Sequence, residues 1–100
     1  MNTKLFTVFY EYNGGTYIRQ LKANSPADSL KQSLPTLVPI LKLKQQDLEE
    51  ALAGHNIVLL DECVNVWSTT GLINDLLLLI HIVETEAGIS RSSRDYSFDE

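Results

Sequence analysis

Residues 67–86, WSTTGLINDLLLLIHIVETE, constrain the fold of this chain more than any other stretch. Strand-compatible residues, many of them apolar, continue on both sides of Asn74-Asp75, a pair that suits the two-residue turn of a β-hairpin. Successive side chains of a strand alternate between its faces, so the pattern predicts a hairpin that is apolar on both faces. An antiparallel sheet with one face in water carries polar residues on that face. Both faces of this hairpin are therefore expected to be covered.

The turn position decides which side chains share a face of this hairpin. With Asn74-Asp75 as the turn, the predicted cross-strand pairs include Ile73 with Leu76, Trp67 with Ile82, and Ser68 with His81. One face then consists of Cys63, Trp67, Ile73, Leu76, Leu78, Ile80 and Ile82. The opposite face consists of Val64, Val66, Leu72, Leu77, Leu79 and Val83. Each face is apolar enough to form a core or an interface.

A second hairpin is predicted in KLFTVFYEYNGGTYIRQLKA, where two β-rich runs flank the Asn-Gly-Gly sequence at 13–15. Glycine adopts the positive φ angles that tight hairpin turns require. With Gly14-Gly15 as the loop, Tyr12 pairs with Tyr17, and a neighbouring turn type would leave each residue on the same face. One face carries Phe6, Val8, Tyr10, Tyr12, Tyr17 and Leu21. The other face is more mixed and carries Leu5, Phe9 and Ile18 with Thr7, Glu11, Thr16, Gln20 and Lys22.

Between the two hairpins the apolar spacing becomes helical. Ser25 suits a helix N-cap and Pro26 the first helical position, so a helix is predicted to begin in NSPADSLKQSL. Pro35 and Pro39 each remove a backbone donor, which predicts a broken, kinked or 3₁₀ segment rather than one long helix. A further helix is predicted in QQDLEEALAGH, where Gly54 is placed to end it.

The resulting β-β-α-α-β-β order predicts an α+β domain, with a mainly antiparallel four-stranded sheet and helices on one face. Residues 57–60 are either a separate short strand or the lead-in to the following one. We expect a single domain over residues 1–88. A loosely ordered C-terminal tail is expected at 89–100, where serines and mixed charges show no periodicity.

Charge and composition restrict the partners of this chain. Eight Lys and Arg stand against thirteen Asp and Glu, a net charge of −5, and the basic residues do not cluster. Binding to nucleic acid or to an anionic membrane depends on basic residues, so neither partner is expected. A protein partner, in particular a basic one, is compatible with this charge. A single cysteine, a start unlike a signal peptide and a longest apolar run of only residues 76–80 predict a soluble, cytoplasmic protein.

Few residues suggest a reaction, a metal or a cofactor. His81 and Ser68 are predicted cross-strand neighbours, and these residue types occur together in acyl-transfer sites. No acid is placed to orient the histidine, so a strand histidine satisfied by one hydrogen bond is the favoured interpretation. The two histidines lack the spacing of a metal motif, and Cys63 follows two acids that would not activate a thiol. No cofactor or metal is predicted, and an enzyme is not the favoured class.

Two candidate interaction surfaces follow from these patterns. Two or three short helices cover one face of a small sheet, so the second apolar face requires further helices, a second copy of the chain or a different partner. A homodimer is preferred, because two-fold assemblies commonly bury such a patch. The predicted interaction surface is formed by Trp67, Ile73, Leu76, Leu78, Ile80 and Ile82. The second candidate surface is formed by Tyr10, Tyr12, Tyr17 and Arg19.

Aromatic residues and arginine on one sheet face suit protein binding or the stacking of single-stranded bases. The acidic balance speaks against bases, and a core face with tyrosine hydroxyls at its rim is the favoured interpretation of the second surface. The chain is thus predicted to be a small non-catalytic protein-interaction module, which self-associates through sheet surface and regulates or neutralises a protein partner. The alternative is a small hydrolase or ligand-binding protein with a pocket around Ser68, Trp67 and His81.

Overall fold

Five antiparallel strands form one sheet in the computed structural model, which describes residues 3–54, 56–60 and 62–85. The strands are β1 (Lys4–Tyr12), β2 (Gly15–Ala23), β3 (Val58–Leu59), β4 (Val66–Ile73) and β5 (Leu76–Thr85). Their order across the sheet is β2-β1-β5-β4-β3, so the N-terminal strand lies beside the last one. The α+β class is confirmed, but the four-stranded sheet is corrected to five strands, because β3 pairs separately with β4. The tail predicted at 89–100 lies outside the described residues.

The N-terminal hairpin turns one residue earlier than predicted. Asn13 and Gly14 occupy the loop with φ angles of 50° and 84°, and Tyr12 pairs with Gly15. Positive φ at both central residues is typical of a type I′ turn, and asparagine followed by glycine is the pair that tolerates it best. The register therefore differs by two residues from the predicted one, and each side chain keeps its predicted face.

The second hairpin has the predicted register. Asn74 and Asp75 form the turn with φ angles of 53° and 65°. The pairs between β4 and β5 include Ile73 with Leu76, Trp67 with Ile82, and Ser68 with His81. Both hairpins thus owe their register to a two-residue turn in which polar or glycine residues adopt positive φ.

The helical segment runs as three short helices, with a proline-containing 3₁₀ turn between the first two. They are α1 (Pro26–Ser33), α2 (Val38–Leu41) and α3 (Gln45–Leu52), with a 3₁₀ turn at Leu34–Leu37. The Ser25 hydroxyl accepts a hydrogen bond from the Asp28 backbone N–H at 3.1 Å and caps α1, as its sequence position predicted. Pro35 and Pro39 each lie in the first turn of a new segment, where a missing backbone donor is tolerated.

The helices pack against one face of the sheet and bury the core there. The buried apolar residues are Phe6, Val8, Tyr10, Tyr12, Ala23, Leu34, Leu37, Leu48, Ile73, Leu78, Ile80 and Ile82. Helix α3 approaches β4 closely at Gly71, where a Cβ atom would lie 2.7 Å from the carbonyl oxygen of Ala51. Within the described ranges, no helix is long and apolar enough to cross a membrane.

Candidate interaction surface

The sheet face opposite the helices stays open within the described part of the chain. We call this side of the sheet the open face. Its apolar members are Leu5, Phe9, Ile18, Val58, Val66, Leu72, Leu77, Leu79 and Val83. Ile18, Val58, Leu72 and Leu77 are the most accessible of these, with between 52% and 66% of each residue exposed. Four strands contribute these four residues, so the apolar surface extends across the sheet instead of following a single edge.

Pairing between the strands aligns one row of side chains across all five strands of the open face. In order from β2 to β3, the row contains Ile18, Phe9, His81, Ser68 and Val58. His81 lies on β5, the middle strand, and is half-buried by its neighbours. The centre of the open face is thus a histidine surrounded by apolar and small polar side chains.

The structure corrects the choice of face for the first predicted surface. Ile73, Leu78, Ile80 and Ile82 are buried in the core beneath the helices, and Trp67 packs against that core. Leu76, at the hairpin end, is 39% exposed. Side chains that the chain's own helices bury are not accessible to a partner, and the accessible apolar side chains of this hairpin lie on the other face.

The N-terminal hairpin contributes to the open face in a way that sequence reasoning missed. Phe9 and Ile18 belong to a face that alternates with polar residues and was classed as mixed. Because β1 pairs with β5, Phe9 lies directly beside His81, and Glu11 beside Leu79. The missing signal was the strand order, since residues of moderate apolarity form a continuous surface only once the two hairpins lie side by side.

The second candidate surface anchors the helices to the sheet. Tyr10 is buried, its hydroxyl hydrogen-bonds to the Ser33 hydroxyl, and burial raises its pKa to about 12. The Tyr12 hydroxyl donates to the Ile73 carbonyl oxygen at 3.0 Å. The Arg19 Nε donates to the Thr36 hydroxyl oxygen at 2.8 Å, next to half-buried Tyr17. These contacts agree with a core face whose polar atoms reach α1, the 3₁₀ turn and the end of β4.

The residues of the proposed pocket lie on both sides of the sheet. Ser68 and His81 are paired across β4 and β5 and share the open face. Trp67 points to the helix-covered face, where its ring meets that of Phe6 edge-on at a centroid distance of 6.2 Å. A single pocket therefore cannot collect all three side chains, because the sheet itself separates the indole from the imidazole.

A shallow depression lies at one end of the open face, beside the Asn13-Gly14 turn. It has a volume of about 290 Å³ and is lined by residues 11–16 together with Leu77 and Leu79. Among the residues that the structure describes, no three His, Cys, Asp or Glu side chains are placed to hold a metal ion.

No family model, curated protein sequence or solved structure matches this chain. The function has therefore to be inferred from the chemistry of its own surface, and the open face is the feature that requires explanation.

Proposed function

We propose that this chain is a non-catalytic protein-interaction module that self-associates by placing the open faces of two copies against each other. The observation that carries this proposal is the set of exposed apolar side chains on a sheet face that the helices leave uncovered. Isolated exposed apolar residues are ordinary on a protein surface, whereas a contiguous patch of them is typical of an interface. Here the exposed apolar residues come from four of the five strands and lie on the same face of the sheet.

The size of the open face supports a protein-sized partner. Strands lie about 4.8 Å apart and rise about 3.3 Å per residue, so four long strands and one short one present roughly 600 Å². Interfaces of standard size bury about 800 Å² on each partner. The open face is thus close to the footprint that a stable complex requires, before side chains at its rim are counted.

The charges of the open face favour a second copy as the occupant. Glu11 and Lys22 are the charged strand residues that the described part of this face presents, and they lie towards opposite ends of the sheet. A two-fold axis that runs across the strands, through the row of His81, turns the Glu11 end of one copy onto the Lys22 end of the other. The surface is then complementary to itself in apolarity and in charge, as an isologous interface requires.

The acidic balance of the chain supports a further role for the assembled module. A net charge of −5 on each copy attracts a basic protein over distances comparable to the Debye length. Regulation or neutralisation of such a basic partner stays a prediction that is separate from self-association. It would use the surfaces that remain in water once the open faces are covered.

Light scattering coupled to size-exclusion chromatography tests self-association. The proposal expects the mass to rise from the single-chain value of 11.2 kDa to twice that value as the concentration rises from micromolar to millimolar. Leu72→Lys, on the open face, should shift this transition to higher concentration. A single-chain mass at all concentrations would contradict the proposal. If the monomer instead bound a different protein, and Leu72→Lys abolished that binding, the open face would be the binding site for that protein and not for a second copy.

A further inference from the structure

We infer that pH controls this self-association through His81, an inference that rests on the proposed dimer. His81 is the titratable side chain closest to the middle of the open face, because it lies on the central strand in the central row. A second copy laid over the face covers it. The two-fold axis across the strands also brings the two His81 side chains of the dimer towards each other.

The surroundings of His81 disfavour a positive charge once the face is covered. Its cross-strand neighbours are Phe9 on β1 and Ser68 on β4, and Leu79 and Val83 flank it on its own strand. An imidazolium that loses water among such groups is destabilised, because none of them carries a compensating negative charge. Two imidazolium groups that approach each other across the axis add repulsion.

Glu11 is the charged side chain that comes nearest to His81 from the packed strands. From β1, Thr7 and Glu11 are the diagonal neighbours of His81, and from β4 they are Val66 and Thr70, which are uncharged. Glu11 is exposed and borders the depression at the Asn13-Gly14 end of the face. In the dimer the Lys22 end of the second copy comes to this end of the face and attracts the Glu11 carboxylate, so Glu11 offsets little of the destabilisation at the centre.

The direction of the pH effect follows from which state takes up protons. A positive charge on His81 is better hydrated in the separated chains than in the dimer that covers it, so the separated chains take up protons more readily. Lowering the pH therefore weakens the dimer, and raising the pH favours it. Each copy contributes one His81, so the effect acts twice in every dimer.

Sedimentation velocity at about pH 7.5 and about pH 5.5, on either side of ordinary histidine protonation, tests this inference on the full chain. We expect the dimer Kd of the unsubstituted chain to rise by between about tenfold and a hundredfold at the lower pH. His81→Gln, which keeps a polar side chain without a titrating group, should reduce this change to within about threefold. His81→Thr, suited to a strand, serves as a second variant, and thermal unfolding at both pH values verifies that each variant is folded.

Two matched controls isolate His81 from other titrating groups. Glu11→Gln and His55→Gln should each keep the pH dependence; His55 is the only other histidine and lies outside the described residues. A dimer with the same Kd at both pH values would overturn the control by His81 and leave the dimer standing. A pH dependence that survives in His81→Gln would overturn it as well. A monomer at both pH values would overturn the inference and the proposed dimer together.

Discussion

Replacing Ile18 by lysine should weaken self-association while the matched change at Ile40 should not. Ile18 lies on the open face in the same row as His81 and is 52% exposed. Ile40 lies in α2 on the helical side of the molecule and is 47% exposed. The two positions therefore compare the same residue type at nearly the same exposure on opposite sides of the molecule.

The expected size of the effect follows from the area that Ile18 still exposes. Complete burial of an isoleucine side chain is worth about 1.5–3 kcal/mol, so covering the exposed half contributes about 1 kcal/mol per copy. The two copies in the dimer lose about 2 kcal/mol, and the ammonium group of lysine adds a desolvation penalty. The dimer Kd should thus rise by at least roughly 30-fold. Ile40→Lys should change the free energy of association by less than about 0.5 kcal/mol.

Sedimentation velocity over a concentration series measures both Kd values, and thermal unfolding shows whether each variant keeps its fold. Equal Kd values for Ile18→Lys and the unsubstituted chain would refute the reasoning, as would an equal loss in Ile40→Lys. Leu72→Lys on β4 adds a second criterion, because it lies far from the edge strand β2. If Ile18→Lys alone weakened the dimer, the copies would pair through the β2 edge and the open face would not be the interface.

Three further predictions concern the stability of the folded chain. Gly71→Ala should destabilise the chain by about 1–3 kcal/mol in urea unfolding, since the new Cβ would lie 2.7 Å from the backbone oxygen of Ala51; an unchanged midpoint would contradict this close approach. Ser25→Ala should cost about 1 kcal/mol, because the Asp28 N–H loses its cap, and circular dichroism melts measure the loss. Burial raises the pKa of Tyr10 from 10.0 to about 12, so its contribution to stability is fully present below pH 10 and is lost as the pH rises to 12. The free energy of unfolding, measured by urea titration between about pH 9 and about pH 12, should therefore fall less steeply with rising pH in Tyr10→Phe than in the unsubstituted chain.

The turns of both hairpins show where sequence reasoning succeeds. In the second hairpin, Asn74-Asp75 is the one pair suited to a two-residue turn. The turn position fixes the register, so the pairing of Trp67 with Ile82 can be predicted from the turn residues alone. The first hairpin offered two overlapping loops in its Asn-Gly-Gly sequence, and the energetically better type I′ pair begins with Asn13. A difference of two residues kept every face correct, because alternation repeats after two residues.

The choice of covered face shows where sequence reasoning stops. Both faces of the second hairpin are apolar, so its own pattern cannot decide which one the helices cover. The decision depends on the partner strand, since β1 contributes the wholly apolar side chains of Phe6 and Val8 to the face that becomes the core. That pairing joins residues as far apart in the sequence as Leu5 and Thr85. Alternation within one hairpin carries no information about such a distant neighbour.

An isotope-filtered nuclear Overhauser experiment tests the central claim, that two copies meet through the open face, most directly. In an equimolar mixture of ¹³C-labelled and unlabelled chains at about pH 7.5, where an ordinary histidine is neutral, only contacts between copies give a signal. We predict cross-chain signals at the methyl groups of Ile18, Leu72 and Leu77, with none at Ile40. Cross-chain signals confined to Ile40, or their complete absence at a concentration where the chain is saturated with dimer, would contradict it.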